Sequence, residues 1–415
     1  MALAHPSLRM SFAQVQDRID PRMAVARAST AYGRNRYGRL VSRPANTARW
    51  HYRPSDGVCQ GVIVEAARTN LILYSEQFND AAWTKTNCSV GANAAVAPDG
   101  ATTADSLTVS ATDGNAAQAV TITTGFGASA SVFAKAFASP FLHMALTDGS
   151  DTVQVWFNLA SGAVGSSSGG GSSVTLARTH IEQDAEGYWR CHAEVTTGSV
   201  TTLTLRLSAA ASDGAAPASA DSIYAWGAMV TAASARTGAT SYIQTAGSTV
   251  TRASDKLIQP IDTAWFNAAE GSLYMDVELG VPPATYGGDI AVFGGFGDTT
   301  SNRVYFWRNS STGAALSVVS GGTAYNMTQT VSYTPGARLR FAGAWKAGDC
   351  AFTVNGAAVS VNASAVMPSG LARFTVGAAP WATAPSAEFA NARYREVLYF
   401  PFRAANADLI TLSGG

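Results

Sequence analysis

From about Gly61 onward, apolar and polar residues alternate in short runs that end at Gly, Ser, Asp or Asn. Residues 104–109, 119–122, 130–135, 152–157, 188–195, 202–207 and 222–229 all follow this pattern. Alternation with a period of two marks half-buried antiparallel strands. Turn signals separate them at Pro98-Asp99-Gly100, Asp113-Gly114, Asp148-Gly149, 165–173 and Asp213-Gly214. Residues 61–240 therefore read as a β-sandwich. A second set covers 271–279, 290–293, 303–308, 316–319, 338–345, 351–354, 373–377 and 390–400, with a helical turn at 404–412. Within it, Asn355-Gly356 predicts a hairpin returning along 357–361, because both turn residues accept positive φ. The second sandwich is placed at 269–415, and 241–268 is expected to be a linker.

The leading residues read differently. Leu8, Phe12 and Val15 are spaced four and three apart, which predicts a short helix within 1–20. Pro21, Pro44 and Pro54 then interrupt any regular element up to about Val64. The expected fold class is all-β: two tandem antiparallel β-sandwiches, of jelly-roll type, after an irregular basic N-terminal arm at 1–60.

Charge changes the picture only at that arm. The chain has 415 residues, 13% of them charged, and a formal net charge of zero. Nothing global points to nucleic acid or to an anionic membrane. In the arm, Arg9, Arg18, Arg22, Arg27, Arg34, Arg36, Arg39, Arg43, Arg49 and Arg53 face only Asp17, Asp20 and Asp56. Tyr32, Tyr37, Trp50 and Tyr52 are interleaved with them, which favours a protein interface over nucleic acid. Arg22, Arg27, Arg34, Arg36, Arg39 and Arg43 are the expected docking residues. No stretch reads as a secretion signal or reaches the length of a membrane-spanning helix.

Candidate chemistry is sparse. Cys59, Cys88, Cys191 and Cys350 form no CxxC pair and read as buried free thiols. His180 and His192 flank Glu182, Asp184 and Glu186, a set more readily explained as a polar hairpin than as a metal site. Asp148, Asp151 and Asp298 suit turns better than calcium. Asp276 and Glu278 share a strand face and are the best local pair for glycoside hydrolysis, although an exposed sheet face explains them equally. No GxSxG, P-loop or HExxH pattern occurs. No catalytic residue, metal or cofactor is expected. Sugar binding needs aromatic faces with polar neighbours, and Tyr305, Trp307, Tyr325, Asn326 and Trp381 are the candidates.

Two resemblances extend this reading. Residues 271–412 resemble the concanavalin A-like or laminin-G-like jelly roll through Phe341–Trp345, Phe352 to Gly356, Phe374 to Gly377 and Tyr394 to Tyr399. Residues 27–254 resemble tailed-phage virion proteins of the tail-fibre and head-fibre type. The residues responsible are Arg27-Ala28-Ser29-Thr30, Glu65 to Phe78, Trp83-Thr84-Lys85, Pro98 to Asp105, Gly187 to Cys191, Tyr224 to Ala228, Thr240 to Ile243 and Val250-Thr251-Arg252. The second resemblance implies a protein on the particle exterior, made in the host cytoplasm, and a homo-oligomer is expected because weak single-site sugar binding gains most from multivalency. Its arm would dock on capsid or tail, and its sandwiches would bind host surface polysaccharide, without nucleic acid or membrane insertion. A decoration or tail-assembly protein without ligand is the alternative, and a polysaccharide-degrading spike a third.

Overall fold

The computed structural model describes residues 5–123, 127–233, 239–280, 291–310, 312–334, 336–381 and 389–415. Ile290 of the expected strand 290–293, Ala382 beside Trp381, and 234–238 of the region before the expected linker lie outside them. The described residues are nearly all β, in antiparallel sheets, with one α-helix at Asn406–Gly414.

The first sandwich faces two six-stranded sheets together. One runs Val174–Gln183, Trp189–Thr197, Gly127–Ala136, Ser222–Ala233, Ala104–Val109, Cys88–Ala95 in spatial order. The other runs Ala163–Gly169, Thr152–Asn158, Phe141–Thr147, Thr202–Ala210, Asn115–Thr121, Thr84–Thr86. The alternation decides which residues go inside: Leu107, Val132, Leu142, Val155, Leu205 and their neighbours fill the space between the sheets.

The second sandwich is not confined to 269–415. Its eight-stranded sheet runs Ser360–Asn362, Cys350–Val354, Arg338–Lys346, Glu270–Leu279, Ala392–Phe400, Cys59–Val64, Trp50–Tyr52, and Leu8–Met10 also pairs with Ala392–Phe400. The seven-stranded sheet opposite begins with Ala24–Ala26 and Lys256–Pro260, before Arg373–Val376, Ala291–Gly297, Arg303–Ser310, Gly313–Ser320 and Thr323–Thr330. The first sandwich is thus an insertion into the second, and the expected tandem order is corrected.

Three expectations fail with it. The helix within 1–20 is a strand, because Leu8, Met10 and Phe12 are all buried while Arg9 is exposed, a period of two. The arm is not free: Trp50 and Tyr52 sit in the second core beside Phe293, Phe341 and Tyr399. Gly61 shows how tightly it is built in, with φ +105 and a position where a Cβ would fall 1.9 Å from the Tyr394 carbonyl oxygen. Nor is 241–268 a linker, since Tyr242, Ile243, Leu257 and Trp265 are buried and Lys256–Pro260 is a strand. A short strand at Arg68–Asn70 pairs with Val250–Arg252 where the insertion leaves and re-enters.

The hairpin turn at Asn355-Gly356 does carry positive φ at both residues, 50° and 75°. The return strand is only Ser360–Asn362, since the intervening residues bond elsewhere: Gly356 N–H donates to Ser413 Oγ, and the Ala358 carbonyl accepts from Gln329.

A buried charge cluster closes the junction of the two sandwiches. Asp255 accepts from Arg27 at 2.9 Å and from Arg49, and its Oδ2 also takes the Glu65 backbone N–H at 3.0 Å. Glu65 pairs with Arg49 at 2.9 Å and with Arg252 at 3.2 Å. Three guanidiniums face two carboxylates, and backbone carbonyls of Pro44, Thr47, Tyr32 and Ala66 take up remaining donors. Burial opposes ionisation of Glu65, but Arg252, Arg49 and Ser241 outweigh it and hold this carboxyl far below the usual range.

Removing one partner of a buried pair leaves an uncompensated charge, which costs about 3–5 kcal/mol. Asp255→Ala should therefore lower stability by about that amount in chemical denaturation, while Asp56→Ala, at the exposed Arg53–Asp56 pair, leaves the midpoint in place.

Candidate functional site

The outer face of the seven-stranded sheet carries an aromatic and basic cluster. Along Arg303–Ser310, Val304 and Phe306 enter the core, so Arg303, Tyr305 and Trp307 point outward. Cross-strand pairing places Ser317 opposite Tyr305 and Asn326 opposite Ser317. Trp381 comes from the loop after Arg373–Val376, with its ring 4.8 Å from that of Tyr305 in an edge-to-face arrangement. The Arg303 guanidinium lies 4.0 Å from the Trp381 centroid and 5.0 Å from that of Tyr305. Trp307 packs 5.8 Å from Tyr305 and donates its indole N–H to Ser317 Oγ at 2.6 Å. Asn326 is exposed beside them, and Trp307 and Trp381 are half-buried.

Four of the five expected sugar-binding residues thus meet on one face. Tyr305 is only 4% exposed there, which makes it a support under the two tryptophans rather than a stacking surface. Tyr325 is separated from the rest: it faces inward against the second core. Sequence reasoning missed Arg303 and Ser317. The odd spacing of 303, 305 and 307 could have found the arginine, but Ser317 is brought there by strand pairing alone.

The other expected residues fall into structural roles. Asp276 is held by Arg338 at 2.7 Å and Glu278 by Arg393 at 2.9 Å, so arginines occupy the carboxylates of the local pair. Asp184 pairs with Arg34, and His192 contacts Ser129 at 2.5 Å. Among the described residues no group of three or more His, Cys, Asp or Glu is arranged to hold a metal ion. Asp148 and Asp151 cap turns, and Asp298 receives Arg373.

The docking arginines are also engaged within the chain. Arg27 and Arg34 are buried, at 2% and 4% exposure, on Asp255 and Asp184. Arg22 pairs with Asp20, Arg39 with Glu186 and Arg43 with Asp17 at 3.8 Å, while Arg36 lies over the Tyr37 ring. The missing acids of the leading segment are supplied from far along the chain.

The run from Glu65 to Phe78 builds the same junction. Asn70 Nδ2 donates to the carbonyls of Ala228 and Ile243, Phe78 and Trp83 enter the first core, and Ser75 bonds with Tyr242 and Thr245. A cavity of about 60 Å³ beside it, lined by Arg34, His51, Glu182, Arg190 and Arg393 among others, has room for water. It is far below the roughly 300–1,000 Å³ of small-molecule sites.

No family model matches the chain, and no curated protein matches it. Among solved structures it overlaps the Ruminococcus gnavus IT-sialidase CBM40 bound to alpha2,3 sialyllactose, with 10% identity, 36% of this chain and 84% of that chain covered, and a TM-score of 0.31. It overlaps the heptameric SAP-like pentraxin of Limulus polyphemus with 8% identity over 35% of this chain and 70% of that one, TM-score 0.27. Mouse laminin alpha1 chain domains LG4-5 overlap 79% of this chain and 95% of their own at 10% identity, TM-score 0.25. Overlaps of this size decide neither ligand nor chemistry.

Glu76, in the run from Glu65 to Phe78, accepts from Tyr242 and Gln244, each at 2.9 Å. Burial raises its carboxyl to about 7, against the pull of those two hydrogen bonds. The folded protein then keeps a proton that the unfolded chain releases near 4.5. Stability from this group is complete below 4.5 and declines as pH rises to about 7. Glu76→Gln should raise the melting temperature at pH 8, by the equivalent of up to about 3 kcal/mol, and change it little at pH 4.

Proposed function

We propose that this protein is a non-enzymatic adhesion component that binds host surface polysaccharide on the outer face of its second sandwich. The observation that carries this reading is the convergence of Arg303, Trp307 and Trp381 around Tyr305, with Ser317 and Asn326 alongside. Half-buried indoles beside an amide and a guanidinium suit a sugar ring, which offers apolar faces and hydroxyl edges. The absence of catalysis is favoured by the arginines that occupy Asp276 and Glu278.

The setting on the exterior of a tailed-phage particle is supported by the ordered motifs between Arg27 and Arg252. Because those motifs build the junction, their likeness is one of architecture. A homo-oligomer fits this setting, since weak single-site sugar binding gains most from multivalency. A decoration without ligand is the second reading, favoured by the burial of Tyr305 and the internal bond of the Trp307 indole.

Trp307→Ala and Trp381→Ala should each weaken retention on a host-polysaccharide array about tenfold or more, with the melting curve unchanged. If the intact assembled protein retains no polysaccharide at any density, the decoration reading stands instead.

A further inference from the structure

The first sandwich carries a groove of its own on the outer face of the sheet that contains Thr202–Ala210. The inward positions of that sheet, among them Ala116, Met144, Val153, Leu205 and Leu207, belong to the core, so the alternate residues face out. One row across the strands reads Thr84, Ala117, Arg206, Ala145, Gln154, Ser168 in register. Arg206 therefore stands between two alanines. Small neighbours on both sides leave open space on both sides, and two adjoining cavities result. One, of about 430 Å³, lies over Thr84, Thr86, Ala119 and Thr204. The other, of about 310 Å³, lies over His143, Thr152, Gln154 and Pro217. Asp113, Asn115 and Arg206 line both. Each volume falls in the range of small-molecule sites, roughly 300–1,000 Å³.

We propose that this two-lobed groove is a second binding site, which takes a saccharide bearing a carboxylate, with the carboxylate on Arg206. Arg206 is exposed and has no hydrogen-bond or ion-pair partner among the described residues. That contrasts with the leading segment, where Arg22, Arg27, Arg34, Arg39, Arg43, Arg49 and Arg53 are all matched to acids within the chain. A guanidinium offers a planar fork that pairs bidentately with a carboxylate. Around it stand groups that recognise hydroxyls. The hydroxyls of Thr84, Thr86 and Thr204 have no protein partner among the described residues. Asn115 Oδ1 is open, its amide donating to the Asp113 carbonyl.

Asp113 carries the groove's negative charge, and this orients the ligand rather than excluding it. A carboxylate is drawn to Arg206 and repelled from Asp113, while sugar hydroxyls donate to Asp113. An uncharged saccharide would leave the arginine unmatched. A purely anionic ligand without hydroxyl donors would leave the aspartate facing like charge.

This site is independent of the tryptophan platform, so it is tested in the full chain carrying Trp307→Ala and Trp381→Ala. Calorimetric titration would use three probes: a uronate-containing tetrasaccharide, the same tetrasaccharide with its carboxyl groups reduced to alcohols, and a sulfated neutral tetrasaccharide. The uronate should bind, and carboxyl reduction should weaken it about tenfold or more. Arg206→Gln, a surface change that leaves the fold intact, should produce the same loss. Ala117→Phe, which fills one lobe, should also weaken binding while the melting curve stays in place. The proposal is overturned if the uronate does not bind, if Arg206→Gln binds it as tightly as its parent, or if the reduced or sulfated probe binds equally well. Loss of uronate binding in the tryptophan variant but not in the wild type would assign the ligand to the platform and remove the groove.

Discussion

Asp255 and Glu65 hold the molecule together by being the acids to which three distant arginines return. Arg27 comes from the leading segment, Arg49 from the strand entering the second sandwich, and Arg252 from the point where the chain re-enters after the insertion. Buried ions are costly to desolvate, so such a cluster is tolerated only when all its members are matched. Matching them requires the leading segment, both ends of the insertion and the adjoining strands to be in place together. The pairing of Arg68–Asn70 with Val250–Arg252 closes the neck of the insertion directly beside it. Arg27-Ala28-Ser29 and Arg252-Ala253-Ser254 are the same tripeptide, and both arginines converge on one carboxylate.

This arrangement builds the basic leading segment into the fold, with Arg27, Arg34 and Arg49 buried. Both sandwiches present an outer face whose character follows from strand parity. On the second, bulky rings at 305 and 307 crowd together and meet Trp381, giving a raised aromatic surface. On the first, alanines flank a single arginine and the face is hollow. The two faces lie on separate cores, so a change at one face need not disturb the other.

Much of the β character was legible because period-two alternation is a local signal. A run such as 202–207 carries it unambiguously, and the positive-φ turn at Asn355-Gly356 is equally local. The leading segment misled for the same reason. Leu8, Phe12 and Val15 fit a helical spacing, yet Val15 is half exposed and Met10, ignored by that spacing, is buried. Only a partner strand from the other end of the chain, with Leu8 opposite Tyr399, turns those residues into a β-strand. The arginines misled similarly, since a count of nearby acids overlooks Asp184, Glu186 and Asp255.

By itself, the order of residues determined many of the strands and turns after Gly61, the inward and outward sides of those that alternate, and hence the all-β class. Those properties depend on neighbours one to four positions apart. Tertiary structure decided that the first sandwich interrupts the second, that the basic segment adds strands to it, and which outward residues share a face. Tyr305, Ser317 and Asn326, or Ala117, Arg206 and Ala145, become neighbours only through hydrogen-bonded register between strands. The free energy of choosing that register comes from burial across whole sheets and from the charge cluster at their junction.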